Sequence, residues 1–185
     1  MSHLDTARAE QAVKDLLIAL GIKVEGPIAN TPGRVARAYV ELFEGLYMEP
    51  PEVMLEPKGK CDEMIILKDI DLVSICLHHL LPFRASAAIA YIPKEDIVGL
   101  SKLPRIVHYF ARRPQIQEAL SNQIADFIME KIDPLGVMVV IQGKHECVSC
   151  RGIREKDSTF ITSAIRGIFQ ESLVKSEAIS LLKGI

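Results

Sequence analysis

Two short stretches of the chain hold most of its thiols and imidazoles: Cys-Leu-His-His at residues 76–79 and His-Glu-Cys-Val-Ser-Cys at residues 145–150. Thiolates and imidazoles are ligands that zinc prefers in proteins, and three protein ligands with one open position are typical of a catalytic zinc site. On a regular strand, Cys76 and His78 would share one face and His79 the other. A metal held by both Cys76 and His79 therefore requires the strand to end or bulge there, which a proline shortly afterwards favours.

The second stretch could supply the third ligand. If it continues as a strand, His145 and Cys147 share a face, so that an imidazole and a thiolate point together toward the first stretch. The residues thus favour a metal site built from Cys76, His79 and Cys147. A simpler alternative stays open, because a lone cysteine in an apolar strand is usually a small buried hydrophobic residue. A separate structural zinc at Cys147 and Cys150 is disfavoured, since the chain has no second cysteine pair with that spacing.

Several basic side chains near these stretches could bind an anion. Ser101 could cap a helix that begins at Lys102, and a helix N-terminus attracts phosphate. Each basic residue taken alone is more often a solvated surface charge, and so is a lone helical carboxylate such as Glu118. The basic residues in question are Lys102, Arg105, Arg112, Arg113, Arg151 and Arg154.

The N-terminal third of the chain is predicted to be helical. Apolar residues recur at helical spacing over residues 6–20, and Gly21 would end that helix. A second helix is predicted to begin at Thr31, a plausible N-cap that is followed by proline, and its apolar stripe is expected to be buried. A proline-rich connector follows. We therefore expect an N-terminal helical region with a connector over residues 1–60, and the rest of a single domain over residues 61–185.

Strands and helices alternate in the rest of the chain. Alternating, β-branched residues predict strands over residues 64–79, 83–93, 136–153 and 158–169, and a terminal helix follows. Two helices, broken near Arg113, separate the first strand pair from the second. The side chains expected to face inward from these helices are Leu103, Ile106, Val107, Phe110, Ile116, Leu120, Ile124, Phe127 and Ile128. This order predicts an α+β fold, with an antiparallel four-stranded sheet covered on one face by the helix pair. Oligomerisation could pair the exposed sheet edges.

Composition and charge exclude several classes of protein. The chain has 185 residues and a formal net charge of −2, so we expect no nucleic-acid partner. No apolar run reaches the roughly 18 residues that a membrane span requires, and the first residues show no signal peptide. Four cysteines without an export signal favour reduced thiols in a cytoplasmic protein.

Five stretches together resemble the GTP cyclohydrolase I family, in that family's order and spacing across about residues 30–170. They are NTPGRVARAY, CLHHLLPF, AYIPKEDIVGLSKLPRIV, RRPQIQEALSNQI and HECVSCRGI. The resemblance implies conversion of GTP to 7,8-dihydroneopterin triphosphate and formate. It also implies the tunnelling (T-fold) architecture, in which residues 61–185 would be the catalytic domain. The sheets of such subunits join into an oligomeric barrel, and two pentamers stack into a homodecamer with active sites between subunits.

The resemblance also implies roles for residues that match its motifs. The implied ligands of Zn²⁺ are Cys76, His79 and Cys147. The implied catalytic acid–base groups are His78 and His145. The implied contacts of the guanine ring are Glu118 and Gln117. The implied contacts of the triphosphate are Arg34, Ser101, Lys102, Arg105 and Arg151.

These residue types suit the implied reaction. Atom C8 of guanine is a poor electrophile and water is a poor nucleophile, so the reaction needs activation of both. Zinc lowers the pKa of bound water toward about 7, and a protonated imidazole near N7 would make the ring accept attack. A carboxylate such as Glu118 can accept two hydrogen bonds from the guanine edge. Adenine would leave buried polar atoms unpaired, at about 1–3 kcal/mol each.

The chain departs from the family pattern at two places. Leu77 stands where the family usually has glutamate, and Ala85-Ser86 stands where it usually has Gly-Lys. The missing acid and base could have compensated each other, or they could have tuned the site. Two other hypotheses stay open: a paralogue with truncated or altered purine-nucleotide chemistry, and a non-catalytic purine-binding T-fold protein. All three proposed ligands and both histidines are present, which favours the enzyme.

Overall fold

The structure is a computed structural model that describes residues 4–183. Residues 1–3 of the predicted N-terminal region and residues 184–185 of the predicted second region lie outside that range. The helices are α1 (Thr6–Ala19), α2 (Thr31–Leu42), α3 (Lys102–Ala111), α4 (Gln117–Ile132), α5 (Glu146–Ser149) and α6 (Ser172–Lys183). The strands are β1 (Leu55–Pro57), β2 (Ile65–Cys76), β3 (Pro82–Ile92), β4 (Asp96–Val98), β5 (Pro114–Gln115), β6 (Gly136–His145) and β7 (Phe160–Gly167).

The predicted α+β class is confirmed, but the main sheet has five strands rather than four. Their order is β5-β2-β3-β6-β7, and the four long strands are antiparallel neighbours. The fifth strand, β5, has two residues and pairs in parallel with the end of β2. It escaped prediction because two residues between two helices show no alternation to detect. Strands β1 and β4 form a separate small sheet.

Helices α3 and α4 cover one face of the main sheet, as predicted. The inward-facing residues that are buried are Leu103, Ile106, Val107, Phe110, Leu120, Ile124, Phe127 and Ile128. Each such apolar side chain contributes about 1.5–3 kcal/mol when it is fully buried. Ile116 is only half-buried, because it lies at the N-cap of α4 beside a surface cleft. This packing fixes the N-terminus of α4 close to the ends of β2 and β6.

Helix α6 covers part of the opposite sheet face. Its Ala178 is fully buried against Met138 of β6 and Phe169, and Ala90 of β3 completes this smaller core. The predicted terminal helix is therefore present, and it closes a second layer. No helix of the described chain is both long enough and apolar enough to cross a bilayer.

The two N-terminal helices pack on each other more than on the sheet. The expected buried stripe of α2 is only half-buried, with Val35, Tyr39 and Leu42 partly covered. The fully buried residues of this helix are Pro32, Gly33 and Ala36. A side-chain carbon at Gly33 would lie 3.2 Å from the carboxylate oxygens of Glu10, so small residues allow α1 to approach closely. The apolar side chains of α1 remain largely exposed, including Leu16 at 58%. As predicted, α1 is followed by Gly21 in the left-handed conformation, with φ 79°.

Candidate active site

Strand β2 ends at Cys76, and the chain turns at once. The carbonyl oxygen of Cys76 accepts hydrogen bonds from the backbone N–H groups of His79 and Leu80, at 3.3 and 2.9 Å. Leu80 adopts the left-handed conformation, with φ 52°, and the Tyr39 hydroxyl of α2 donates to its carbonyl oxygen at 2.9 Å. The strand predicted over residues 64–79 therefore ends at Cys76, as a metal shared by Cys76 and His79 requires. The turn brings His79 Nδ1 to 3.7 Å from Cys76 Sγ.

The second stretch is not a continuous strand, so that prediction is wrong. Strand β6 ends at His145, whose partner in β3 is Phe83, and helix α5 begins at the next residue. The reason is tertiary: the only β3 residue left to pair with a longer β6 is Pro82, which has no N–H to donate. The helical turn still directs Cys147 toward the first stretch, with its Sγ 3.9 Å from Cys76 Sγ.

The structure brings the three proposed metal ligands together. The ligand atoms of Cys76, His79 and Cys147 all lie within 4.8 Å of one another. Tetrahedral zinc, with bonds of about 2.3 Å to sulfur and about 2.0 Å to nitrogen, would separate pairs of ligand atoms by about 3.5–3.8 Å. The separations of 3.7 Å between Cys76 and His79 and 3.9 Å between Cys76 and Cys147 are close to that range, and the third pair lies within 4.8 Å, so the donor set fits a zinc ion. Burial, with the adjacent Cys76 thiol, raises the pKa of Cys147, so metal binding must displace a proton.

His145 is held beside this triad with a fixed ring plane. Its ring stacks on Phe83, with centroids 4.3 Å apart and an interplanar angle of 10°, and meets the edge of Phe160 at 5.8 Å. Its Nε2 lies 2.9 Å from Gln117 Oε1. Burial lowers the pKa of His145, and the nearby Glu118 carboxylate acts in the opposite direction. The imidazole of His145 is therefore fixed by its neighbours and lies outside the group formed by Cys76, His79 and Cys147.

A cleft of about 400 Å³ joins these groups, a size typical of small-molecule sites. Glu118, in the first turn of α4, is exposed within it. The predicted site residues that line the cleft are Cys76, His78, His79, Gln117, Glu118, His145 and Cys147. The two separated stretches of the sequence and the start of α4 therefore form one site.

The five residues implied for the triphosphate do not line this cleft in a single chain. Arg34 is exposed on α2, while Ser101, Lys102 and Arg105 lie at the start of α3, and Arg151 is exposed after α5. Ser101 precedes α3 as predicted, but its side chain makes no capping hydrogen bond, so the proposed cap is wrong.

Several lining residues were missed in the sequence. They are Ile116, Gly143, Val148, Ser158, Thr159 and Phe160. Gly143 alone carried a signal, because a glycine inside a strand often marks the close approach of another group. A side-chain carbon at Gly143 would lie 2.6 Å from Gln117 Oε1, a distance that no packing allows. Glycine at this position therefore keeps room for Gln117 beside His145.

The two departures from the family pattern lie apart in the structure. Leu77 is half exposed in the turn after β2, whereas Ser86 pairs with Asp71. Asp71 lies five residues before the end of β2 at Cys76, which is about 16 Å of strand. An acid at position 77 and a base at position 86 could not form an ion pair within one chain. No contact within one chain therefore supports the hypothesis that these losses compensate each other, and it stays a hypothesis.

Two thiols and an imidazole lie close enough to share a metal ion, and two further histidines and a carboxylate lie in the same cleft. These groups form a candidate hydrolase site on an α+β fold. The family model described as GTP cyclohydrolase I matches residues 9–183. The chain belongs to the GTP cyclohydrolase I family, and it is an enzyme of that type.

Similar proteins span nearly the whole chain. It is 47% identical to "GTP cyclohydrolase 1" of Streptomyces avermitilis, over 98% of this chain and 92% of that protein. It is also 47% identical to "GTP cyclohydrolase 1" of Pelotomaculum thermopropionicum, over 97% of this chain and 98% of that protein. A solved structure, the apo form of the archaeosine synthase QueF-Like, aligns with a TM-score of 0.47 and 16% identity, over 56% of this chain and 93% of that chain.

Proposed function

We propose that this protein opens the imidazole ring of GTP at C8 by zinc-dependent hydrolysis, releases formate and rearranges the product to 7,8-dihydroneopterin triphosphate. The observation that carries the proposal is the convergence of Cys76, His79 and Cys147 within 4.8 Å, in a cleft that also holds His78, His145 and Glu118. Membership of the GTP cyclohydrolase I family supports the same reaction.

Cys76, His79 and Cys147 would hold Zn²⁺. When bound, zinc supplies a Lewis acid that brings the pKa of water toward about 7. The protein's part is to fix the ligands in advance. Cys76 is buried, and its backbone N–H donates to Leu81 O at 2.8 Å, so this ligand has little freedom to move. The cysteines are unpaired among the described residues, and thiols that must bind metal fit a cytoplasmic protein.

His145 and His78 would move the protons. Addition of water at C8 and cleavage of the C8–N9 bond leave a formamide on N7, and a second water releases formate. Closure of the new ring returns one water, so one is consumed overall. His145, held flat on Phe83, would exchange a proton at the ring nitrogens, and the exposed His78 in the turn would serve the opposite side of the reacting carbon.

Glu118 would select guanine. Its carboxylate lies in the cleft at the N-terminus of α4, where two oxygen atoms can accept the N–H groups of one guanine edge. Gln117 was predicted as a second guanine contact, but both polar atoms of its side chain are bonded within the chain. Gln117 would instead hold the His145 ring in place.

The subunits would assemble into a T-fold homodecamer of two stacked pentamers, with sheets joined into a barrel. The support is an unpaired sheet edge: β7 has no outer partner among the described strands, and its Ile161 is 60% exposed. In such an assembly a neighbouring subunit could bring its triphosphate-binding groups to the cleft. Those groups are Arg34, Ser101, Lys102, Arg105 and Arg151.

Light scattering tests the assembly. We expect a mass close to ten times the 20.5 kDa of one chain. Ile161→Lys places a charge on the open edge of β7 and should give smaller, less active species. Leu173→Lys, at an even more exposed position on α6, is the matched control and should leave the decamer intact. A stable and fully active monomer of the parent protein would rule the assembly out.

Product analysis separates the proposed reaction from its two alternatives. The zinc-loaded protein incubated with GTP should release formate and 7,8-dihydroneopterin triphosphate in equal amounts. A formamide that accumulates without formate would indicate a paralogue that stops after ring opening. GTP that binds but stays unchanged would indicate a purine-binding protein, and either of these results would overturn the proposed function.

A further inference from the structure

The side chain of Gln117 has only one possible orientation. It is 1% exposed, and its Nε2 lies 3.0 Å from the carbonyl oxygen of Ile141 and 3.1 Å from that of Phe160. Carbonyl oxygens only accept hydrogen bonds, so the amide NH₂ group must face them. A flipped amide would place Oε1 against two carbonyl oxygens in a buried site. Oε1 therefore points the other way, toward His145.

A hydroxyl pair next to Gln117 supports the same orientation. Ser121 Oγ lies 2.8 Å from the backbone carbonyl oxygen of Gln117, so the serine hydroxyl donates there. Ser121 Oγ also lies 2.8 Å from Thr162 Oγ1. Thr162 Oγ1 can accept from Gln117 Nε2, which lies 3.2 Å away, close to the two carbonyl oxygens that Nε2 faces. The hydroxyl pair is therefore compatible with an amide whose Nε2 faces Ile141, Phe160 and Thr162.

The orientation of Gln117 determines which nitrogen of His145 carries a proton. Gln117 Oε1 is an acceptor 2.9 Å from His145 Nε2, so Nε2 must donate. In the neutral imidazole, Nδ1 then has the free lone pair. No described residue is hydrogen-bonded to Nδ1, and Arg113 Nε is the only unpartnered buried side-chain nitrogen or oxygen in the described chain. Nδ1 therefore has access to the cleft.

We infer that Gln117 is a positioning residue, which holds His145 as the Nε2–H tautomer and presents Nδ1 to the substrate. The inference rests on the proposed function only for the identity of that substrate. The stacking of His145 on Phe83 fixes the ring plane, and Gly143 leaves space for Oε1. Rotation of the His145 ring would break the hydrogen bond between Nε2 and Gln117 Oε1, and it would not bring Nδ1 to another acceptor. The predicted guanine contact at Gln117 is thus replaced by an indirect role.

Substitution of Gln117 by methionine tests the role, because methionine has a similar volume and cannot accept the bond from Nε2. We expect kcat to fall about 10- to 100-fold, the range typical when a group that orients a functional imidazole is lost. KM for GTP should change little, since Gln117 does not touch the substrate. Gln115→Met is the matched control: Gln115 is also buried, but its amide bonds are to Phe110 and Gln123.

A spectroscopic measurement distinguishes positioning from a merely structural role. Magic-angle-spinning NMR of the zinc-loaded protein, labelled with ¹³C and ¹⁵N in histidine, reports which ring nitrogen is protonated. The His145 signals are those missing in His145→Asn. We expect the Nε2–H tautomer in the parent protein and in Gln115→Met, and a tautomer mixture in Gln117→Met. If Gln117→Met does not fold, Gly143→Ala keeps the amide but crowds Oε1, and should produce the same mixture.

An Nδ1–H tautomer in the parent protein would overturn the inference. So would an unchanged His145 spectrum in folded Gln117→Met, or a rise in KM for GTP with kcat unchanged. Absence of formate from the parent protein would instead contradict the proposed reaction. The tautomer is measured without turnover, so the two failures can be told apart.

Discussion

Replacement of Cys147 by serine is expected to abolish stable zinc binding and formate release, whereas replacement of Cys150 is expected to leave both in place. The two thiols stand three residues apart, so the pair is a matched test of position. Cys147 Sγ lies 3.9 Å from Cys76 Sγ and within 4.8 Å of the His79 ligand atom, whereas Cys150 is an exposed residue outside this ligand group. If zinc is bound as proposed, only Cys147 is within reach of it.

The size of the effect follows from the number of ligands. Zinc binding to a full set of protein ligands is worth about 10–16 kcal/mol at neutral pH. The loss of one ligand of three removes on the order of 3–5 kcal/mol, which weakens binding about 10²- to 10⁴-fold at 1.4 kcal/mol for each factor of ten. A zinc site so weakened should lose its metal to a chelator. Because the water nucleophile depends on the metal, formate release should fall at least in proportion.

Metal content after dialysis against a chelator, measured beside formate release, tests this prediction. Thermal unfolding of each variant shows that the fold persists. We expect one zinc per chain in the parent protein and in Cys150→Ser, and almost none in Cys76→Ser or Cys147→Ser. Stoichiometric zinc in Cys147→Ser would show that the metal is held elsewhere. Zinc loss in Cys150→Ser would show that the ligand set has been assigned wrongly.

The parts of the fold that sequence could predict are those controlled by local patterns. Helix α3 is an example: Leu103, Ile106, Val107 and Phe110 recur at helical spacing, and all are buried against the sheet. For β2 the sequence predicted a strand over residues 64–79 and a condition on its end: a metal shared by Cys76 and His79 requires a break there, because the two side chains of a regular strand would face opposite sides. In both cases the information lies within a few residues of the chain.

The parts that sequence could not predict depend on distant partners. Nothing in residues 145–150 shows that a strand must stop at His145. The reason lies in β3, which offers only Pro82 beyond Phe83, and proline has no N–H to donate. The burial of Gln117 is similar, because its amide is satisfied by Ile141 and Phe160, which are 24 and 43 residues away. Only the three-dimensional arrangement shows that Gln117 serves His145 and that Glu118, the next residue, is open to the cleft.

Replacement of Glu118 by glutamine is expected to lower kcat/KM for GTP about 30- to 1000-fold. The carboxylate can accept two hydrogen bonds from the N–H groups of guanine, while glutamine presents one acceptor and one donor to the same edge. One charge-assisted bond is lost and a donor faces a donor, which together cost about 2–4 kcal/mol. The side chain has almost the same size, and Glu118 is exposed at the start of α4, so folding should be unaffected.

A comparison of two substrates isolates the guanine contact. Inosine triphosphate lacks the 2-amino group, so it can give Glu118 only one of the two hydrogen bonds. The parent protein should therefore prefer GTP strongly, and the preference should shrink in Glu118→Gln, because that variant can no longer use the second bond. Glu130→Gln, at the exposed far end of the same helix, is the matched control and should keep the parent's kcat/KM for both substrates. Unchanged turnover of GTP in Glu118→Gln, or an undiminished preference over inosine triphosphate, would mean that guanine is bound by other groups in the cleft.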